Sequence, residues 1–155
     1  MRCHYNNRMN FFSSIGNAFK GLFRMFGLFK KNAKIIFVGL DDAGKTTLMS
    51  VLKFGIVSQF EPTSHAHAEN LEIGNLKVNS VDLGGHKTMR KVWRDFFLKI
   101  DAIVYLVDAA NAARFNESKE EFFKILETPD LGKVPILILG NKIDKVSEYD
   151  NRKTQ

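Results

Sequence analysis

Eight residues constrain this 155-residue chain more than any other stretch: Gly39-Leu40-Asp41-Asp42-Ala43-Gly44-Lys45-Thr46, which read G-x-x-x-x-G-K-T. The β-branched, apolar run Ile35-Ile36-Phe37-Val38 leads into them, and Thr47 to Lys53 continues with a helical pattern. Strand, glycine-rich loop and helix in that order are the setting of a phosphate-binding loop. Glycine lets the backbone turn tightly and bring its N–H groups against an anion. The N-terminus of the following helix adds partial positive charge. The backbone of Asp41, Asp42, Ala43, Gly44, Lys45, Thr46 and Thr47 is therefore the expected phosphate cradle. The Lys45 ammonium would reach the outer phosphates, and the Thr46 hydroxyl would hold Mg²⁺.

The chain beyond this loop alternates strands and helices. Two strands, 68–73 and 76–82, meet at the hairpin signal Gly74-Asn75. The second ends in Asp82-Leu83-Gly84-Gly85-His86. An aspartate at a strand end beside a phosphate loop suits Mg²⁺, and a glycine pair after it allows a backbone N–H, that of Gly85, to sense a terminal phosphate. Residues 87–99 read as one helix, Ile103 to Val107 as a buried strand, Phe115 to Glu127 as an amphipathic helix, and Val134 to Gly140 as another buried strand. This order predicts an α/β fold with a doubly wound, mostly parallel sheet, its ligand at the C-terminal strand ends.

The last of these strands runs into Asn141-Lys142-Ile143-Asp144, or N-K-x-D. Guanine offers two adjacent donors, N1–H and N2–H₂, which one carboxylate accepts together, while adenine offers no such pair. Asp144 would thus select guanine, Asn141 would brace the loops, and the Lys142 stem would cover the base.

Charge is unevenly distributed. Of the net +6, residues 1–40 carry seven Lys/Arg and no acid, and the rest balances 16 Lys/Arg against 17 Asp/Glu. A near-neutral body argues against a nucleic-acid partner, and a basic arm suits an anionic surface. Within that arm Phe12, Ile15, Phe19, Leu22, Phe23 and Phe26 recur at helical spacing. Three readings compete for residues 9–29: a helix packed on the protein's own core, a mitochondrial presequence, and a helix lying in a membrane interface. The phosphate loop follows too closely for a removable presequence. Phenylalanines on one face and Lys20, Arg24, Lys30 and Lys31 nearby favour the membrane interface. The chain is accordingly divided into an extension at 1–8, an amphipathic membrane helix at 9–31 and a nucleotide-binding domain at 32–155. The single cysteine, Cys3, allows no internal disulfide.

With these residues assembled, the chain resembles the Ras-like small GTPases, and Asp82-Leu83-Gly84-Gly85 resembles their Arf/Sar branch. His86 where most relatives carry Gln, no glycine after Met1 or Met9 for myristoylation, and the Phe-rich arm resemble the Sar side of that branch. The resemblance implies the small GTPase fold, GTP/GDP and Mg²⁺ as ligands, and hydrolysis of GTP to GDP and phosphate. It implies Thr63 as a switch residue joining Thr46 and Asp82 at Mg²⁺. It implies His86 as the catalytic residue that orients water, with an arginine supplied by a partner. Its implied partners are the inner layer of the COPII coat, an exchange factor and an activating protein. Its implied location is the cytosolic face of the endoplasmic reticulum membrane, with the Golgi and cytoplasm.

Three departures stand out. Ala66 and His67 occupy the place of a second Pro-Thr pair, Asp42 replaces the usual Asn, and residues 145–155 hold no pattern for the family's sixth strand and final helix. The expected fold is therefore C-terminally truncated. That truncation supports a rival reading, a pseudo-GTPase or gene fragment that holds no nucleotide. An ATPase of another phosphate-loop class is disfavoured by Asn141-Lys142-Ile143-Asp144.

Overall fold

The computed structural model describes residues 32–54, 66–73, 76–83, 85–91, 93–97 and 100–146. The expectations placed on residues 1–31, on Thr63, on the Gly74-Asn75 turn, on Gly84 and on 147–155 lie outside the described residues.

Strand β1 (Asn32–Gly39) is the centre of a five-stranded sheet of order β2-β3-β1-β4-β5. Its run of Ile35, Ile36, Phe37 and Val38 is apolar on both faces and fully buried, as a central parallel strand requires. β3 (Leu76–Asp82) and β4 (Ala102–Asp108) pair parallel to it on either side, and β5 (Ile136–Asn141) pairs parallel to β4. β2 (His67–Ile73) pairs antiparallel with β3, in register from His67 opposite Asp82 to Ile73 opposite Leu76. The sheet is thus mostly parallel, with one antiparallel edge.

Parallel pairing aligns the strand ends, setting Phe37 opposite Asp82, Gly39 opposite Leu106, and Asp108 opposite Asn141. The loops after β1, β3, β4 and β5 leave the sheet at one edge. Helix α1 (Lys45–Phe54) packs against β1, β2 and β3, and helix α3 (Phe115–Leu126) against β1 and β4. An apolar cluster joins Ile36 and Val38 of β1, Val81, Ile103 and Tyr105 to Trp93, Phe97, Ile100 and Ile125. Tyr105 is buried almost completely, at 1% exposure. Its hydroxyl donates to the Ser118 carbonyl at 2.8 Å, and its ring meets Phe122 edge-on at 5.0 Å. A buried phenol needs such an acceptor.

The helix expected over 87–99 is broken. A short α2 (Lys87–Arg90) is followed by a 3₁₀ turn at Trp93–Phe96. One straight helix would carry residues 90, 93 and 97 on a single face. Here Arg90 goes to polar loops while Trp93 and Phe97 enter the apolar cluster, and the break serves both. Two further 3₁₀ turns, Ala112–Arg114 and Pro129–Leu131, bracket α3. Strand β5 starts two residues later than expected, since Pro135 supplies only its carbonyl, to the Ile103 N–H at 2.9 Å. Among the described residues β5 has one strand neighbour, and Ile138 is 54% exposed. No helix among them is long and apolar enough to cross a membrane.

Candidate nucleotide-binding site

The loop after β1 is shaped by positive backbone angles at Gly39, Asp42 and Gly44 and by close approaches of its neighbours. Gly44 has φ +88°, and a Cβ there would meet Asn141 Nδ2 at 2.3 Å. Asn141 uses that space to donate from Nδ2 to the Ala43 carbonyl at 2.8 Å. The N-K-x-D segment is thereby fastened to the phosphate loop across 98 positions of sequence. Gly85 arrives from the other side, where a Cβ would meet Asp41 N at 2.1 Å and Leu40 C at 2.2 Å. Only glycine lets the segment after β3 lie this close to the phosphate loop.

Lys45 opens α1 and is 5% exposed. Its ammonium donates to the carbonyls of Gly39 at 3.1 Å and Leu40 at 2.9 Å. Burial pushes its pKa down to about 8, and the negative charges of Asp82 and Asp41 oppose that shift. A partly desolvated cation at a helix N-terminus is a receptor for phosphate oxygens.

Thr46 Oγ1 donates to Asp82 Oδ2 at 2.5 Å, and Asp82 is 2% exposed. A buried carboxylate and a hydroxyl thus converge at the end of β3. These are hard oxygen donors, and no group of three or more His, Cys, Asp or Glu accompanies them among the described residues. That donor set fits Mg²⁺, which takes one or two protein oxygens and completes its shell with phosphate and water. His86 is exposed at the start of α2, where its carbonyl accepts from the Arg90 N–H at 3.1 Å.

At the base end, Lys142 has φ +60° and turns its ammonium back to Asp108 Oδ2 at 2.9 Å and Asp42 Oδ2 at 3.0 Å. Burial lowers its pKa, the hydrogen bonds to Asp108 and Asp42 raise it, and the net shift is upward. The extra negative charge at Asp42 is therefore matched by a cation. Asp42 is also 84% exposed, so solvent screens it further. Asp144 lies exposed on the helical turn that follows Lys142. The residues expected at the phosphate and base ends, from Asp41 through Thr47 with Asp82, Gly85, His86 and Asn141 through Asp144, lie at the C-terminal ends of β1, β3 and β5 and on the loops and helix starts that follow them.

Sequence reasoning missed four charged residues here. Asp108 ends β4 as Asp82 ends β3, and that same signal identifies it. Nothing in the local sequence pattern of Arg90, Arg114 and Glu117 distinguishes them from ordinary surface charges. In the fold they surround Asp41. Arg114 Nη2 donates to Asp41 Oδ1 at 2.9 Å and Arg90 Nη2 to the same oxygen at 3.2 Å. The Arg114 hydrogen bond is the main reason the Asp41 pKa falls to about 2.

The profile of the ADP-ribosylation factor family matches residues 19–155. The small COPII coat GTPase SAR1 of Giardia intestinalis is 42% identical over 129 residues, covering 83% of this chain and 68% of that protein. The small COPII coat GTPase SAR1 of Nicotiana tabacum is 48% identical over 108 residues, covering 70% of this chain and 54% of that protein. The chain thus spans about half the length of the tobacco relative. Among solved structures, the Arl6 (BBS3) small GTPase of Trypanosoma brucei with the nucleotide analogue GppNp superposes with a TM-score of 0.67. It is 27% identical, and 79% of each chain is covered.

Proposed function

The chain belongs to the ADP-ribosylation factor family, as a Sar-type member of its Arf/Sar branch, and on that premise we propose that it is a GTP-driven switch that starts COPII coat assembly at the endoplasmic reticulum membrane. The observation that carries the nucleotide part is the Asn141–Ala43 hydrogen bond, which joins a guanine-selective segment to a phosphate loop.

Each residue has a separable role in this reading. Lys45 binds the outer phosphates, and the N–H groups of Asp41, Asp42, Ala43, Gly44, Thr46 and Thr47 add donors around them. Thr46 and Asp82, with Thr63, would hold Mg²⁺, which when bound neutralises charge on the phosphate oxygens. Asp144 accepts the two donors of guanine, and the Lys142 stem lies along the base. The Gly85 N–H meets the terminal phosphate, so the segment after β3 responds to its presence. His86, exposed beside that segment, orients the water that attacks the γ-phosphorus. The bond from that phosphorus to the β–γ bridging oxygen breaks, leaving GDP and inorganic phosphate. An exposed histidine is weakly constrained, so turnover is slow until an activating protein contributes an arginine. Residues 9–29 bring the molecule to anionic membrane, where the inner coat meets the GTP-bound form and an exchange factor renews it.

A second reading, in which the chain keeps its partner contacts but holds no nucleotide, is favoured by β5. That strand carries Asn141, yet it is bordered on one side only among the described residues. Titration of the full chain with a fluorescent GDP analogue in Mg²⁺, with GTP and ATP as competitors, separates the two. The switch reading expects saturable binding displaced by GTP and not by ATP. Folded protein without binding would establish the second reading.

A further inference from the structure

The strongest feature the nucleotide chemistry leaves unused is a closed ring of four charges beside the phosphate loop. Arg90 holds Asp41 at 3.2 Å and Glu117 at 2.9 Å, and Arg114 holds Glu117 at 2.8 Å and Asp41 at 2.9 Å. Its members come from the phosphate loop, the end of α2, the 3₁₀ turn before α3, and α3 itself. The Arg90 side chain is 5% exposed, and its Nη1 also lies 3.5 Å from Glu121. The third nitrogen of its guanidinium, Nε, donates to the Gly85 carbonyl at 2.6 Å. Gly85 is also the residue that abuts the Asp41 N–H. Arg90 therefore closes a second, smaller loop, from Gly85 through the guanidinium to Asp41 and back to Gly85.

We propose that Arg90 is a positioning residue that, by holding the Gly85 carbonyl, fixes the Gly85 backbone against the phosphate loop and links its state to helix α3. This deepens the switch reading and rests on it. A planar guanidinium with five donors can serve three elements in fixed directions, which an ammonium cannot. Buried ion networks are often no more stabilising than apolar packing of the same volume, so a purely cohesive role would not call for one here. The bond to a backbone carbonyl adds a direction. The Gly85 carbonyl and the Gly85 N–H belong to adjacent peptide planes joined at one Cα, so holding the carbonyl restricts the rotation by which that N–H turns toward the terminal phosphate. GDP lacks that phosphate and is indifferent to it. The effect of Arg90 therefore falls on GTP selectively.

The test compares affinities of the full chain for a fluorescent GDP analogue and for a non-hydrolysable GTP analogue. Arg90→Lys keeps the charge and removes the fork. It should lower the ratio of GTP-analogue to GDP affinity by about tenfold, within the usual range of coupling between linked sites. GDP affinity should move by less than about threefold in the same variant. Glu117→Gln keeps the shape, loosens one corner of the ring, and should shift the ratio the same way by about threefold. It decides the matter if Arg90→Lys does not fold. An unchanged ratio in the folded variants, with only a lower melting temperature, would show the ring to be cohesive alone and overturn the proposal. Failure of the unmodified chain to bind GDP would remove the switch reading, and this proposal with it.

Discussion

Lys45 carries a charge into a place charges avoid, and its ionisation is where pH should act on the site. Its pKa, about 8 in the fold, lies below the ordinary 10.5 because burial disfavours the ammonium. Below about pH 8 the lysine is charged both folded and unfolded, and the fold bears the full cost of burying it. That cost is relieved as pH rises from about 8 towards 10.5, so this residue makes stability rise with pH over that window. Nucleotide binding should run the other way. Phosphates select the charged lysine, so above about pH 8 binding must take up a proton. Affinity for a fluorescent GDP analogue should be level near neutral pH and should then weaken, by at most about tenfold per pH unit for one proton. Fluorescence titration across this range measures it, and a level affinity up to about pH 9.5 would remove Lys45 from phosphate contact. Asp41 behaves oppositely. Its carboxylate, held down to about 2 chiefly by Arg114, supports the fold above its ordinary pKa of 3.8, and that support is lost as pH falls through about 2.

At the scale of elements, the sequence was most legible where one kind of force acts alone. β1 and β4 are apolar on both faces, and they occupy the middle of the sheet. The antiparallel pairing of β2 with β3 and the amphipathic α3 follow from local pattern in the same way. Residues 87–99 were read wrongly because two demands meet there: an ionic anchor at Arg90 and apolar anchors at Trp93 and Phe97, aimed at different neighbours. Periodicity sees the apolar anchors and counts the arginine as solvent-facing. The charge ring was illegible for a related reason, since its partners lie as many as 73 positions apart. The basic arm is the element where the sequence still leads. The apolar face of residues 9–29 holds several Phe and Leu, each worth about 1.5–3 kcal/mol when buried, before ordering costs. On the membrane reading, deleting residues 9–29 should abolish co-sedimentation with anionic liposomes and leave the affinity for GDP within about twofold, since none of the residues assigned to the nucleotide is removed. Undiminished sedimentation of the deleted form would refute the membrane role.

For the whole molecule, the decisive property is that the site is assembled from distant parts of the chain. Thr46 meets Asp82, and Asn141 meets Ala43. A ligand held by all of these cannot be held by the unfolded chain, so its binding energy becomes folding energy. At about 100 times its dissociation constant, GDP with Mg²⁺ should add ~2.7 kcal/mol to stability. For a chain of this size that is a rise of roughly 5–10 °C in melting temperature. Trp93, the sole tryptophan and buried in the core cluster, provides the fluorescence signal. Adding a chelator should take back part of the gain, because Thr46 and Asp82 would lose the ion that connects them to the phosphates. ATP should give little, because Asp144 finds no pair of donors on adenine. The gain depends on the base end and the phosphate end being held at once. Equal shifts with GDP and ATP would therefore mean that the phosphate loop works alone, and that Asn141 to Asp144 serve the fold without reading a base.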